Sequence, residues 1–122
     1  NHGEFEDAYG FRFTSKDKVI VFSGDTGPSK SLEDYAKDAD ILVHEVYSYA
    51  GFLKKTKDWQ IYHKSHHTST YEVGEIASRA KPKLLVLSHI LVWGADEQDI
   101  LEETRTTFSG NIKIAEDLMV IK

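Results

Sequence analysis

Four short stretches of this chain carry side chains whose types and placement could do chemistry: Asp25 in "GDTGPS", His44 and Glu45 in "ILVHE", His66 and His67 in "HHTST", and His89 in "LLVLSHI". Carboxylate and imidazole are the groups left to hold a metal when thiolates are absent, and the chain has no cysteine. Such donors suit zinc, manganese or iron. Imidazole also titrates near neutral pH, so the same residues could move protons. Each one alone has a plainer explanation. An Asp between glycines and ahead of a proline commonly forms a turn, and a His after an apolar run commonly hydrogen-bonds at a strand boundary.

The elements that must position these residues can be read from pattern. Tyr9 to Thr14 and Lys18 to Ser23 are β-rich runs separated by a polar Ser-Lys-Asp turn, the pattern of a hairpin that leads into Asp25. "KSLEDYAKDAD" repeats Leu32, Tyr35 and Ala36 at helical spacing, with Ser29 or Ser31 as its cap. "ILVHE" then reads as a buried strand ending at His44-Glu45, which completes a strand–helix–strand unit with parallel pairing. Residues 46 to 66 lack a sustained period and are expected to form a loop with one helical turn at most. In "STYEVGEIASRAKP", Val73, Ile76, Ala77 and Ala80 share a helix face that Pro82 ends, and Thr68, Ser69 and Thr70 are placed to cap it. "KLLVLSHI" is a continuous apolar strand with His89 just past its end. "ADEQDILEETRTTF" predicts an acidic helix, and two short strands, Ile112 to Ala115 and Leu118 to Ile121, close the chain.

This alternation predicts an α/β fold. It also puts Asp25, His44-Glu45 and His89 at the same strand ends, and the crevice beyond the carboxyl ends of strands is where α/β sheets bind ligands. Several unpaired polar groups buried together would cost a few kcal/mol each, a cost that a shared cation would offset.

Composition narrows the function classes. The 122 residues suffice for one compact domain or for part of a larger one. A net charge of -5 and a pI near 5.6 argue against a chain that grips nucleic acid over its whole surface. No run approaches the length of a membrane span, and the acidic start "NHGEFEDAYG" is unlike a signal peptide, so a soluble, cytoplasmic protein is expected.

Taken together, "GDTGPS", "ADILVHEVY", "HHTST" and "KPKLLVLSHI" resemble the C-terminal half of a metallo-β-lactamase-fold hydrolase, particularly the ribonuclease Z and arylsulfatase-like branch. The likeness covers roughly residues 2 to 92. It implies half of an αββα sandwich with a site for two divalent ions, zinc foremost and manganese or iron as alternatives. Asp25 would be the carboxylate bridging both metals, and His89 a terminal ligand of the second. His2, in "NHGEFEDAYGFRF", resembles the histidine that precedes a "GYR"-like strand in this branch and would bind the first metal. A His-x-His-x-Asp-His motif is absent from these residues. The resemblance therefore implies that residues 1–122 are the C-terminal part of a longer domain whose N-terminal half carries that motif.

Two adjacent divalent ions polarise a phosphoryl or carbonyl oxygen and acidify water. His67 is then expected either as the general acid for the leaving oxygen or as a donor to the anionic substrate, oriented by Glu45, whose charge favours the protonated ring. Without the resemblance, His66-His67 reads as a solvated loop pair and Glu45 as a surface or capping carboxylate. His44 has no assigned role, His63 is expected in solvent, and Trp59 and Trp93 either line a substrate mouth or pack in the core. The expected activity is metal-dependent hydrolysis of phosphodiesters, with small esters, lactones or aryl sulfates as alternative substrates and a non-catalytic binding module as the alternative class. The expected partners are the N-terminal half of the fold, a small-molecule or phosphodiester substrate and a second copy of the chain. Nucleic acid is not favoured and a membrane is excluded.

Overall fold

The computed structural model describes residues 1–122. Ten elements follow in chain order: β1 (Phe11–Thr14), β2 (Val19–Phe22), α1 (Lys30–Tyr35), β3 (Ile41–Tyr47), α2 (Tyr49–Leu53), α3 (Lys57–His66), α4 (Thr70–Ala80), β4 (Leu84–Leu91), α5 (Glu97–Arg105) and β5 (Ile112–Ile114). The strands make one mixed sheet in the order β1-β2-β3-β4-β5. β1 and β2 form the antiparallel hairpin expected from the Ser-Lys-Asp turn, and the other three pairings are parallel.

Helix ends follow the chemistry of their caps. Ser29 accepts a hydrogen bond from the Leu32 N–H at the start of α1. α4 begins with a capping box, in which Ser69 accepts from the Glu72 N–H while the Glu72 carboxylate accepts from the Ser69 N–H. It ends at Lys81, whose left-handed backbone (φ 56) turns the chain ahead of Pro82. The core lies between one sheet face and helices α1, α4 and α5: Val21, Leu42, Val46, Leu85 and Leu87 meet Leu32, Val73, Ile76 and Ile100. Burying each of these large aliphatic side chains stabilises the fold by about 1.5–3 kcal/mol. Gly74 lets α4 approach the α5 side closely, because a Cβ there would lie 2.0 Å from Thr107 Oγ1 and 2.7 Å from the Thr104 carbonyl oxygen.

The opposite face of β1 and β2 is bare. Phe11 and Phe13 on β1 and Phe22 on β2 are 57%, 58% and 40% exposed and pack mainly against one another. Helices on one face and phenylalanines open on the other match half of a layered sandwich.

Three expectations need correction. Residues 46 to 66 are not a loop, because α2 and α3 occupy most of them. The N-terminus of α2 is capped from afar as well as locally: Ser48 accepts from the Gly51 N–H, and the Glu103 carboxylate of α5 accepts from the N–H groups of Tyr49 and Ala50. The chain end holds one short strand, and Leu118 to Ile121 forms none; Leu118 is 99% exposed and buries nothing to secure a ladder. Finally, His89 is not past the end of β4 but within it. Glu45 pairs with Ser88 and Val46 with Ile90, so His89 is the extra residue of a bulge, with a left-handed backbone (φ 44). No helix is long and apolar enough to cross a membrane.

Candidate functional site

The site assembles where β2, β3 and β4 end. After β2, Ser23 is fixed by its N–H to the Val43 carbonyl and by its hydroxyl, which accepts from the Glu45 N–H. Gly24 follows in a left-handed turn (φ 61), where a Cβ would come 2.5 Å from the Tyr9 carbonyl oxygen. Only glycine fits that close approach without strain. The turn presents Asp25 at the rim, half-exposed, with Oδ1 3.5 Å from Nδ1 of His89.

Glu45 lies at the centre and is 1% exposed. A buried carboxylate must be paired and hydrogen-bonded to stay ionised. Its oxygens accept from the Thr26 N–H at 2.9 Å, the Thr68 N–H at 3.3 Å and His67 Nδ1 at 2.8 Å. Thr68 closes the arrangement by donating its hydroxyl to the Thr26 carbonyl. Engaging Nδ1 fixes the imidazole orientation and leaves Nε2 of His67 as the nitrogen able to exchange a proton. His67 is itself buried, so the solvated-pair reading of His66-His67 does not hold.

His2 is pinned rather than frayed. Its Nδ1 lies 2.7 Å from the His66 carbonyl, the Gly3 N–H donates to the Ser65 carbonyl, and Phe5 stacks on its ring at 5.1 Å. Glu4 Oε2 meets His66 Nε2 at 2.9 Å. Because Nδ1–H is spent on a carbonyl, Nε2 carries the free lone pair, the arrangement common for metal-ligating histidines.

The five residues given a site role from the sequence, His2, Asp25, Glu45, His67 and His89, lie in one continuous chain of neighbours, whereas His44 faces the core. Asp25 touches His89, the His89 ring stacks near His67 at 5.9 Å, His67 is bonded to Glu45, and the His2 ring lies 5.1 Å from that of His67. No group of three or more His, Asp or Glu side chains is gathered tightly enough to hold a metal ion by itself. The donor chemistry fits a divalent ion, in that Asp25 and His89 are adjacent and His2 has a free lone pair, but the set is incomplete within this chain.

The sequence expectations missed His63. It is half-buried, not solvated, with a stacked Trp59 on one side (5.4 Å) and Trp93 at 4.4 Å. Burial pushes its pKa down, and His67, Lys55 and His66 add to that. Its place one helical turn before His67 was the available signal. Neither tryptophan is a core residue: Trp59 is exposed and Trp93 half-buried.

No protein-family model matches the chain. Ribonuclease Z of Archaeoglobus fulgidus is 37% identical over 106 residues, which is 86% of this chain and 32% of that protein. The metallo-β-lactamase-fold protein YhfI of Bacillus subtilis superposes with a TM-score of 0.73 at 24% identity, over 88% of this chain and 41% of its own. The short form of human tRNase Z gives a TM-score of 0.62 at 23% identity, over 93% of this chain and 37% of its own. The chain spans about a third of the length of the curated relatives it matches.

Proposed function

We propose that this chain, which carries part of a metallo-β-lactamase fold and is ribonuclease Z-like in sequence, supplies one wall of the active site of a metal-dependent phosphodiester hydrolase. In this reading the rest of the site, with the His-x-His-x-Asp-His motif, comes from a segment corresponding to the share of its relatives that the chain does not span. Asp25 and His89, which are adjacent, would help to hold one ion, and His2, with Nε2 free, would contribute to holding the other. When bound, such ions supply Lewis-acid stabilisation of a phosphoryl oxygen and a more acidic water.

The chain's own residues supply the proton chemistry. Glu45, held by Thr26 and Thr68, orients His67 through Nδ1. Protonated His67 donates from Nε2 to the leaving oxygen, its ring held in place by the Glu45 carboxylate at Nδ1. The observation that carries the reading is the 2.8 Å bond between buried Glu45 and His67 in the same cluster as Asp25 and His89. The name ribonuclease Z supports a phosphodiester as the bond cleaved. A net charge of -5 weighs against a transfer RNA gripped through this part of the protein.

The test uses full-length protein. His67→Ala should retain its metal, measured by elemental analysis, and lose about 10²- to 10⁴-fold in kcat on a phosphodiester whose leaving group is an alkoxide, such as a dinucleoside monophosphate. Asp25→Ala should lose metal. Full turnover in His67→Ala would overturn the general-acid role, active wild type without metal would overturn the metal dependence, and metal-loaded wild type without turnover would overturn the hydrolase reading.

A further inference from the structure

A row of rings continues away from His67. His63, one turn earlier on α3, has its ring 5.9 Å from that of His67, and Trp59, a further turn back, stacks on His63 at 5.4 Å and 19°. Trp93, from the segment after β4, reaches His63 at 4.4 Å. The Lys55 ammonium lies 4.9 Å from the centre of the Trp93 ring, so positive charge stands at the same place.

Holding Trp93 there is unfavourable for the backbone. Its φ of 44 is left-handed, a region that bulky residues avoid, and Gly94 beside it is also left-handed (φ 87). α2 must also carry Gly51 at the contact, since a Cβ there would meet Trp93 Cβ at 2.8 Å and the Val92 carbonyl oxygen at 2.9 Å. Strain of this kind persists where the surroundings enforce a particular placement. Trp93 packs on one side against buried Tyr47 at 5.5 Å, yet it is only half-buried and Trp59 is 54% exposed, so both rings leave surface open to a ligand. His63 Nδ1 is sealed from solvent without a hydrogen-bond partner. A lowered pKa from burial keeps that ring neutral near pH 7, as suits a stacking surface.

We propose that Trp59, His63 and Trp93 form a stacking wall beside His67 that binds a planar aromatic group, an aryl ring or a nucleobase, on the leaving side of the substrate. The proposal rests on the hydrolase reading in taking His67 as the group that faces the leaving oxygen. Lys55 then stands close to the anionic part of the same ligand, and every base or aryl ring offers the π face that the wall accepts.

Two ligand pairs test this on metal-loaded full-length protein by titration calorimetry: phenylphosphonate against methylphosphonate, and adenosine 5′-monophosphate against ribose 5-phosphate. In at least one pair the member with the ring should bind about tenfold tighter. Preference in the first pair alone identifies an aryl ring, and preference in the second a nucleobase. Trp59→Leu, at an exposed position where folding is safe, should cut the preference at least threefold and leave the ringless ligand unchanged. Trp93→Leu should do the same, and Trp93→Phe should restore most of the preference. Equal binding within both pairs overturns the wall, as does a preference that survives Trp59→Leu and Trp93→Leu together. Turnover measured on the same samples separates the two ideas. Turnover without ring preference removes the wall alone, whereas ring preference without turnover removes the hydrolase reading alone.

Discussion

His44 is wholly buried, with Nδ1 2.7 Å from the Glu45 carbonyl oxygen and Nε2 without a partner. Strand alternation places it on the face of β3 shared with Leu42 and Val46, away from the candidate site. Protonating Nε2 there would bury a charged donor without an acceptor, so burial lowers the pKa against the smaller opposing pull of Glu45. The sign for stability follows. Above the ordinary histidine value near 6.5, neither folded nor unfolded chain protonates this ring. Below it the unfolded chain takes up a proton that the folded chain refuses, so stability falls with pH until the folded ring titrates in turn. Urea midpoints measured from pH 7.5 to 5.5 should therefore decline, by at most about 1.4 kcal/mol per pH unit from this one group. His44→Asn should flatten the decline; an unchanged slope would show that another group is responsible. Glu45, next along the chain, was read as closing its strand, whereas β3 runs on to Tyr47 and Glu45 lies inside it; its burial was not legible, because two of its donors are backbone N–H groups from Thr26 and Thr68 that no residue type announces.

The elements that position the site differ in how openly they declare themselves. α4 could be read directly: four small or aliphatic residues on one face, Ser69 three residues before Glu72, and Pro82 just beyond. Its one puzzling residue is Gly74, a poor helix former that by propensity alone should improve on becoming alanine by about 1 kcal/mol. Close packing against Thr104 and Thr107 reverses that expectation. Gly74→Ala should lower the thermal midpoint, with a net loss of about 1–3 kcal/mol, and a raised midpoint would refute the packing argument. α2 and α3 were unreadable for a physical reason. A helix reveals itself by a buried apolar stripe, yet α3 leaves Trp59, Ile61 and Tyr62 exposed and buries a histidine instead. Thr56 makes no side-chain cap bond to α3 either. α2 draws part of its capping from Glu103, far along the chain, which no local window can contain. The β4 strand was plain from its apolar run, but the bulge within it depends on pairing with β3 and left no mark of its own.

At the level of the whole molecule, the outer face of the β1–β2 hairpin is left uncovered. Right-handed parallel crossovers deliver helices to a single face, and the chain described here contains nothing to cover Phe11, Phe13 and Phe22. Apolar surface of this kind seeks a partner. In the proposed enzyme that partner is the other half of the sandwich, and the 122-residue chain produced alone should use a second copy of itself. Sedimentation of the isolated chain should show concentration-dependent association, which Phe11→Ser with Phe13→Ser should weaken about tenfold or more. A monomer at all concentrations would remove the inference. The bulge at His89 bears on how such a protein could change. β4 exceeds β3 by that single residue, so a chain lacking one codon would zip the two strands end to end. In the proposed enzyme, such a deletion would remove one metal-binding imidazole in a single step while leaving the pairing of the two strands in place.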